Sequence, residues 1–125
     1  MKKILVAEDS SVIQNLTKRI LLNQNYEIDA VKNGQQVLKN MELKPYNLIL
    51  MDINMPVMDG IECTKQIRGL SDVSKNSIPI IAITGNAKNY TLKDFNKMGI
   101  NDFLPKPLNF DSLVEIVKKY IGDDN

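Results

Sequence analysis

The chain has 125 residues, a net charge of +1, 43% hydrophobic and 25% charged residues, values that suit one globular domain spanning residues 1–125. It holds one cysteine and no histidine, which excludes an internal disulfide, a histidine metal ligand, an imidazole base and an internal phosphohistidine. No basic stripe announces nucleic acid and no apolar run approaches the roughly 20 residues of a membrane helix, so neither is an expected partner and the chain reads as cytoplasmic.

Ile4-Leu5-Val6-Ala7 reads as a short buried strand that ends in Glu8 and Asp9. Ser10 or Ser11 can cap the first helix, in which Ile13, Leu16 and Ile20 recur at helical spacing. Glu27 to Val31 alternates polar and apolar residues, as a more exposed strand does. Asn33-Gly34 breaks it, and a second helix follows to about Glu42, with Val37, Leu38 and Met41 inward. Asn47 to Asp52 is a buried strand that ends in a carboxylate, with a Pro- and Gly-bearing turn behind it. The third helix runs from Gly60 to Arg68, with Ile61 and Ile67 inward and Gly69 at its end. Leu70 to Ser77 reads as a polar loop. Ile78 to Thr84 is another buried strand and ends in a hydroxyl. Ala87 to Met98 is a fourth helix of weak propensity, closed by Gly99. Asn101 to Leu104 is the last strand, followed by Pro105-Lys106-Pro107. Asn109 or Asp111 caps the final helix, which carries Leu113, Ile116, Val117 and Ile121.

Five strand–helix units with short connections predict an α/β fold: a doubly wound, five-stranded parallel sheet with five helices. All strands then point their C-terminal ends at one edge. Glu8, Asp9 and Asp52 arrive there with Thr84 and Lys106. Three carboxylates would repel one another, and one ammonium does not balance them. A hard divalent cation with oxygen ligands completes the set, and Mg²⁺ fits best. Asp52, which ends the central strand, is the expected nucleophile, since carboxylates form aspartyl-phosphates.

Four motifs now carry a resemblance: Val6-Ala7-Glu8-Asp9, Met51-Asp52-Ile53-Asn54-Met55-Pro56-Val57-Met58-Asp59-Gly60, Thr84-Gly85-Asn86-Ala87 and Phe103-Leu104-Pro105-Lys106-Pro107. In this order, each ending its strand, they resemble the receiver domain of two-component response regulators along the whole chain. The resemblance implies a flavodoxin-like, CheY-like sheet of order 2-1-3-4-5. Asp52 matches the phosphoacceptor, and Glu8 and Asp9 the acidic pair that binds Mg²⁺, for which Mn²⁺ is an expected substitute. Asn54 matches the position whose backbone carbonyl completes the metal site. Thr84 matches the hydroxyl that bonds the phosphoryl group. Lys106 matches the lysine that pairs with it, and its bond to Pro107 is expected to be cis. Phe103 matches the aromatic switch that turns inward when Thr84 moves toward the phosphate. Gly85 stands where the family keeps a small residue to admit the phosphodonor.

The implied function is a phosphorylation switch and not a turnover enzyme. A histidine kinase or histidine phosphotransfer protein donates to Asp52, a downstream protein reads the surface of the fourth helix, fifth strand and last helix, and slow self-dephosphorylation resets the switch. Asn54 and Asn86 border the path of the attacking water. Glu8 stands for the commoner aspartate, Phe103 for the frequent tyrosine, and Phe95 for an often small residue; the motifs lean toward hybrid-kinase receivers. A free-standing regulator and a piece of a hybrid kinase both fit. A flavin-binding electron carrier shares the topology but needs a Ser/Thr/Gly-rich phosphate loop where Glu8-Asp9 stands. A phosphatase with an aspartate nucleophile needs a second aspartate where Asn54 stands. Cys63 and the methionines Met51, Met55 and Met58 are expected to be packing residues.

Overall fold

The structure is a computed structural model and describes residues 1–122; residues 123–125 of the expected domain lie outside it. Five strands make one parallel sheet: β1 (Lys3–Ala7), β2 (Glu27–Val31), β3 (Leu48–Asp52), β4 (Ile80–Thr84) and β5 (Asp102–Pro105), in the order β2-β1-β3-β4-β5. The helices between and after them are α1 (Ser11–Leu22), α2 (Gly34–Leu43), α3 (Gly60–Arg68), α4 (Val73–Asn76), α5 (Leu92–Lys97) and α6 (Phe110–Ile121). The class and strand order are those expected.

The helix count differs by one for local reasons. The polar stretch 70–77 contains a single helical turn, α4, because Asp72 accepts from both the Ser74 amide (2.9 Å) and its hydroxyl (2.6 Å). The expected fourth helix is broken. Ala87–Asn89 form a 3₁₀ turn, Tyr90 is extended, and α5 starts afresh after Thr91. There the Thr91 hydroxyl accepts from the Asp94 amide (3.1 Å) while the Asp94 carboxylate accepts from the Thr91 amide (2.8 Å). This reciprocal cap satisfies two otherwise free donors and fixes a new helix start.

Alternate residues of the strands feed two apolar layers, one per face. Leu5, Ala7, Ile49, Met51, Ile80 and Ala82 pack with Val37 and Met41 of α2, Cys63 and Ile67 of α3 and Phe95 of α5. Ile4, Val6, Leu48, Leu50, Ile81 and Ile83 pack with Leu21 of α1 and with Leu113 and Val117 of α6. On α1 the seam sits one residue beyond the sequence expectation: Leu16 is exposed, and Thr17, whose hydroxyl donates to the Ile13 carbonyl (2.8 Å), is buried. A threonine can take that place because its hydroxyl is satisfied within the helix.

The register fixes the functional edge. Ala7 pairs with Met51, Asp52 with Ile83, and Thr84 with Pro105. Glu8 therefore stands level with Asp52, and Lys106 follows directly after the partner of Thr84. Two glycines let the turns close there. A Cβ on Gly60 would lie 2.5 Å from the Asp52 carbonyl oxygen, and one on Gly34 would lie 2.8 Å from that of Met58. The Gly60 amide donates to the Ile53 carbonyl (2.9 Å), and the Gly34 amide to that of Met58 (2.9 Å), so the β3–α3 turn is pinned from both sides.

Candidate functional site

Asp52 ends a strand whose five residues are all buried, and it is itself only 1% exposed. A carboxylate at such a position needs partners. Its Oδ1 accepts from the Asn54 amide (3.1 Å) and its Oδ2 from Lys106 Nζ (3.0 Å). The chain turns at Asn54, two residues past the strand, and the aspartate caps that turn. Thr84 closes β4 in the same way: it is 1% exposed, and its hydroxyl oxygen accepts from the Asn86 amide (3.0 Å). Lys106 is brought in by its amide, which donates to the Thr84 carbonyl (2.8 Å); its bond to Pro107 is cis, as expected.

Glu8 is 2% exposed. Its Oε2 accepts from the Ser10 amide (3.0 Å), and its Oε1 has no hydrogen-bond partner among the described residues, lying 3.8 Å from Lys106 Nζ. Burial, reinforced by Asp52, pushes its carboxyl up to about 7, against the opposing pull of Ser10 and Lys106. Glu8, Asp9 and Asp52 each offer a carboxylate oxygen within 4.8 Å of the others, and Asp9 is exposed. Three carboxylates face one ammonium, and one buried carboxylate oxygen is orphaned. A hard divalent cation with oxygen ligands answers both features. The residues present therefore fit a Mg²⁺ ion.

Residues 4–118 match the response regulator receiver domain family. The chain belongs to that family. Over 96% of its length it is 39% identical to the CAI-1 autoinducer sensor kinase/phosphatase CqsS of Vibrio cholerae, and over 98% it is 36% identical to hybrid signal transduction histidine kinase I of Dictyostelium discoideum. It spans 17% and 8% of those two proteins. A solved receiver domain of a sensor histidine kinase from Pseudomonas aeruginosa, with a magnesium ion in its active-site cleft, superposes with a TM-score of 0.86 at 34% identity, covering 98% of both chains. The response regulator TrrA of Thermotoga maritima, in complex with Mg²⁺ and BeF, superposes with a TM-score of 0.83 at 35% identity, covering 96% of this chain and 99% of that one.

The receiver brings Glu8, Asp9, Asp52, Thr84 and Lys106 to one edge, while Asn54 and Asn86 are exposed at its mouth. Nothing lies within 4 Å of where a Gly85 Cβ would be, so the approach beside Thr84 is open and packing does not demand the glycine. Phe103 is partly buried against the apolar layer that holds Phe95. Its ring packs on the fully buried Phe95 (centroids 4.9 Å apart), which packs in turn on Tyr90 (5.0 Å). Asp59 caps α3 through the Glu62 amide (2.8 Å). Cys63 is buried, its Sγ donates to the Gly34 carbonyl (3.4 Å), and burial pushes its thiol up to about 12, which disfavours the reactive thiolate. Two features have no local signal in the sequence. Val57 has φ +70° at the centre of a γ-turn in which the Met58 amide donates to the Pro56 carbonyl (2.7 Å). Gln14 of α1 reaches back to the loop that carries the acidic pair.

Proposed function

We propose that residues 1–125 form one receiver unit in which Asp52 accepts a phosphoryl group from a phosphohistidine on a histidine kinase or phosphotransfer protein. The observation that carries the proposal is a buried carboxylate bonded to Lys106 Nζ at 3.0 Å, level with an orphaned Glu8 oxygen. An Asp52 carboxylate oxygen attacks phosphorus; the O–P bond forms as the donor's P–N bond breaks, and the imidazole leaves with the bonding pair. Lys106 lies against that carboxylate and can follow the charge onto the phosphoryl oxygens. Thr84 is placed to offer its hydroxyl hydrogen to one of them, since its oxygen already accepts from Asn86. Glu8, Asp9, Asp52 and the Asn54 backbone carbonyl would hold Mg²⁺, with Mn²⁺ as a substitute. When bound, that ion neutralises charge on the transferring group.

The chain has no histidine, so the donor is another protein or another segment. An apolar groove of about 470 Å³, lined by Ile13, Leu16, Pro107, Leu108 and Phe110, opens beside Lys106 and suits the protein that carries the phosphohistidine. The added charge draws Thr84, and Phe103 after it, inward. A downstream protein reads the resulting surface of α5, β5 and α6. Water entering past Asn54 and Asn86 slowly hydrolyses the aspartyl-phosphate, so the receiver is a self-resetting switch and not a turnover enzyme. The lone buried Cys63 suits a reducing compartment, and a cytoplasmic location belongs to the same proposal.

The test is incubation with acetyl phosphate and Mg²⁺ followed by intact mass. A gain of one phosphoryl group that is lost in Asp52→Asn is expected. Absence of any adduct with acetyl phosphate or a phosphorylated donor protein would overturn the proposal.

A further inference from the structure

The acidic pair stands on the loop between β1 and α1. Glu8 and Asp9 follow directly after β1, where the sheet ladder ends, and Asp9 is exposed. One side chain from α1 reaches back to this point. Gln14 Nε2 donates to the Glu8 carbonyl (3.1 Å) and to the Val31 carbonyl (3.0 Å). The Val31 carbonyl also accepts from the Glu8 amide (3.0 Å). Both backbone polar groups of Glu8 are therefore tied, the amide directly to β2 and the carbonyl through Gln14. The orientation of the amide is dictated by chemistry, because an amide oxygen in its place would face two carbonyl oxygens.

We propose that Gln14 is a positioning residue of the cation site: its two hydrogen bonds fix the Glu8 backbone so that the unpartnered Glu8 Oε1 stays aimed at Asp52 and Lys106. The proposal rests on the reading of Glu8, Asp9 and Asp52 as a Mg²⁺ site. Without Gln14, the Glu8 carbonyl loses its partner and the loop can rotate toward water. The ligand atoms survive, but their fixed arrangement does not. Mg²⁺ demands near-ideal octahedral geometry, so such a loss falls on affinity. Groups that orient metal ligands typically contribute about 10- to 100-fold.

The variant is Gln14→Met, which keeps the length and removes both donors. The control is Thr17→Val, which removes a buried hydrogen bond from the same helix without touching Glu8. Each protein is titrated with Mg²⁺ alone, with the Ser10 and Asn54 amide resonances as reporters; these amides donate to Glu8 and Asp52. Thermal unfolding is recorded in parallel. The half-saturating Mg²⁺ concentration is expected to rise about tenfold in Q14M and to stay at the wild-type value in T17V, although both lose thermal stability. Phosphoryl uptake from acetyl phosphate in Q14M should recover at saturating Mg²⁺. An unchanged half-saturation in Q14M, or an equal rise in T17V, refutes the positioning role and leaves the metal site standing. A wild-type protein whose resonances ignore Mg²⁺ overturns both. Should Q14M not fold, Gln14→Asn, which draws the amide back by one methylene, is judged by the same shift.

Discussion

Replacing Glu8 with glutamine tests the electrostatics of the site without any phosphodonor. The perturbation is nearly isosteric. The glutamine oxygen can still accept from the Ser10 amide, and its nitrogen then fills the place of the orphaned Oε1 and faces Asp52 as a donor. Burial raises the Glu8 carboxyl from 4.5 to about 7. The folded state thus binds a proton that the unfolded state has released over this interval, and metal-free stability falls as pH climbs through it. Each tenfold in proton affinity is worth about 1.4 kcal/mol, so ionised Glu8 costs the fold about 3 kcal/mol at most. The penalty is absent below about pH 4.5 and complete above about pH 8. In chelator, E8Q should therefore unfold only slightly differently from the wild type near pH 5. Near pH 8 its midpoint should be higher by several degrees, taking roughly 3 °C per kcal/mol for a chain of this size. Added Mg²⁺ should close the gap at the higher pH by stabilising the wild type far more than the variant. A midpoint difference independent of pH would refute the reasoning, since it would mean that Glu8 carries no charge penalty in the fold.

Gly60→Ala pushes a methyl group to 2.5 Å from the Asp52 carbonyl oxygen and should cost about 1–3 kcal/mol or more in urea unfolding. Gly69→Ala meets nothing closer than 3.6 Å at a right-handed backbone position, so it should be neutral or stabilise by about 0.4–1 kcal/mol; equal costs at the two sites would sink the steric argument. Phe95→Leu removes the middle ring between Tyr90 and Phe103, worth about 0.5–1.5 kcal/mol for each ring pair beyond area. It should raise hydrogen exchange across residues 90–98 while leaving phosphoryl uptake at Asp52 measurable by mass. Exchange unchanged in that segment would show that Phe95 does not anchor α5.

Much of the fold was legible because its signals are local. Continuous apolar runs that end in Asp52 and Thr84 define buried parallel strands, and Asn33, Asp59 and Asn109 each cap the helix that follows. The candidate site was legible for the same reason: each of its residues ends or follows a strand, and a parallel sheet gathers such positions at one edge. The misreadings come from competition between local choices. Residues 87–98 read as one helix of weak propensity, but the chain is extended at Tyr90 and the Thr91–Asp94 capping box starts a new helix. Leu16 shares the spacing of Ile13 and Ile20, yet Thr17 and Leu21 are buried instead. Contacts between distant segments were invisible. Arg68 donates to the carbonyls of Gly99 and Asn76 and to the Asn101 side chain, 31, 8 and 33 residues away. No pattern along the chain announces that clamp, nor the reach of Gln14 to Val31.

The distribution of buried anchors separates the chemistry from the readout. All five residues of β3 are buried, and Asp52 is held by the Asn54 amide and Lys106, with Gly60 pressed against its own carbonyl. Such a segment opens only when the domain unfolds. α5 is the opposite case. It has six residues, and Phe95 alone is buried. Its position depends on one ring, and that ring touches Phe103. Any force that turns Phe103 must move Phe95 or break its stacking, and α5 has no second buried anchor to resist. On the proposed function, a phosphoryl group on the rigid Asp52 therefore acts through Thr84 and Phe103 on a helix held by a single buried ring. An aromatic at position 95 makes the coupling tighter than a small residue would, because a small side chain leaves a gap into which Phe103 can turn without displacing the helix.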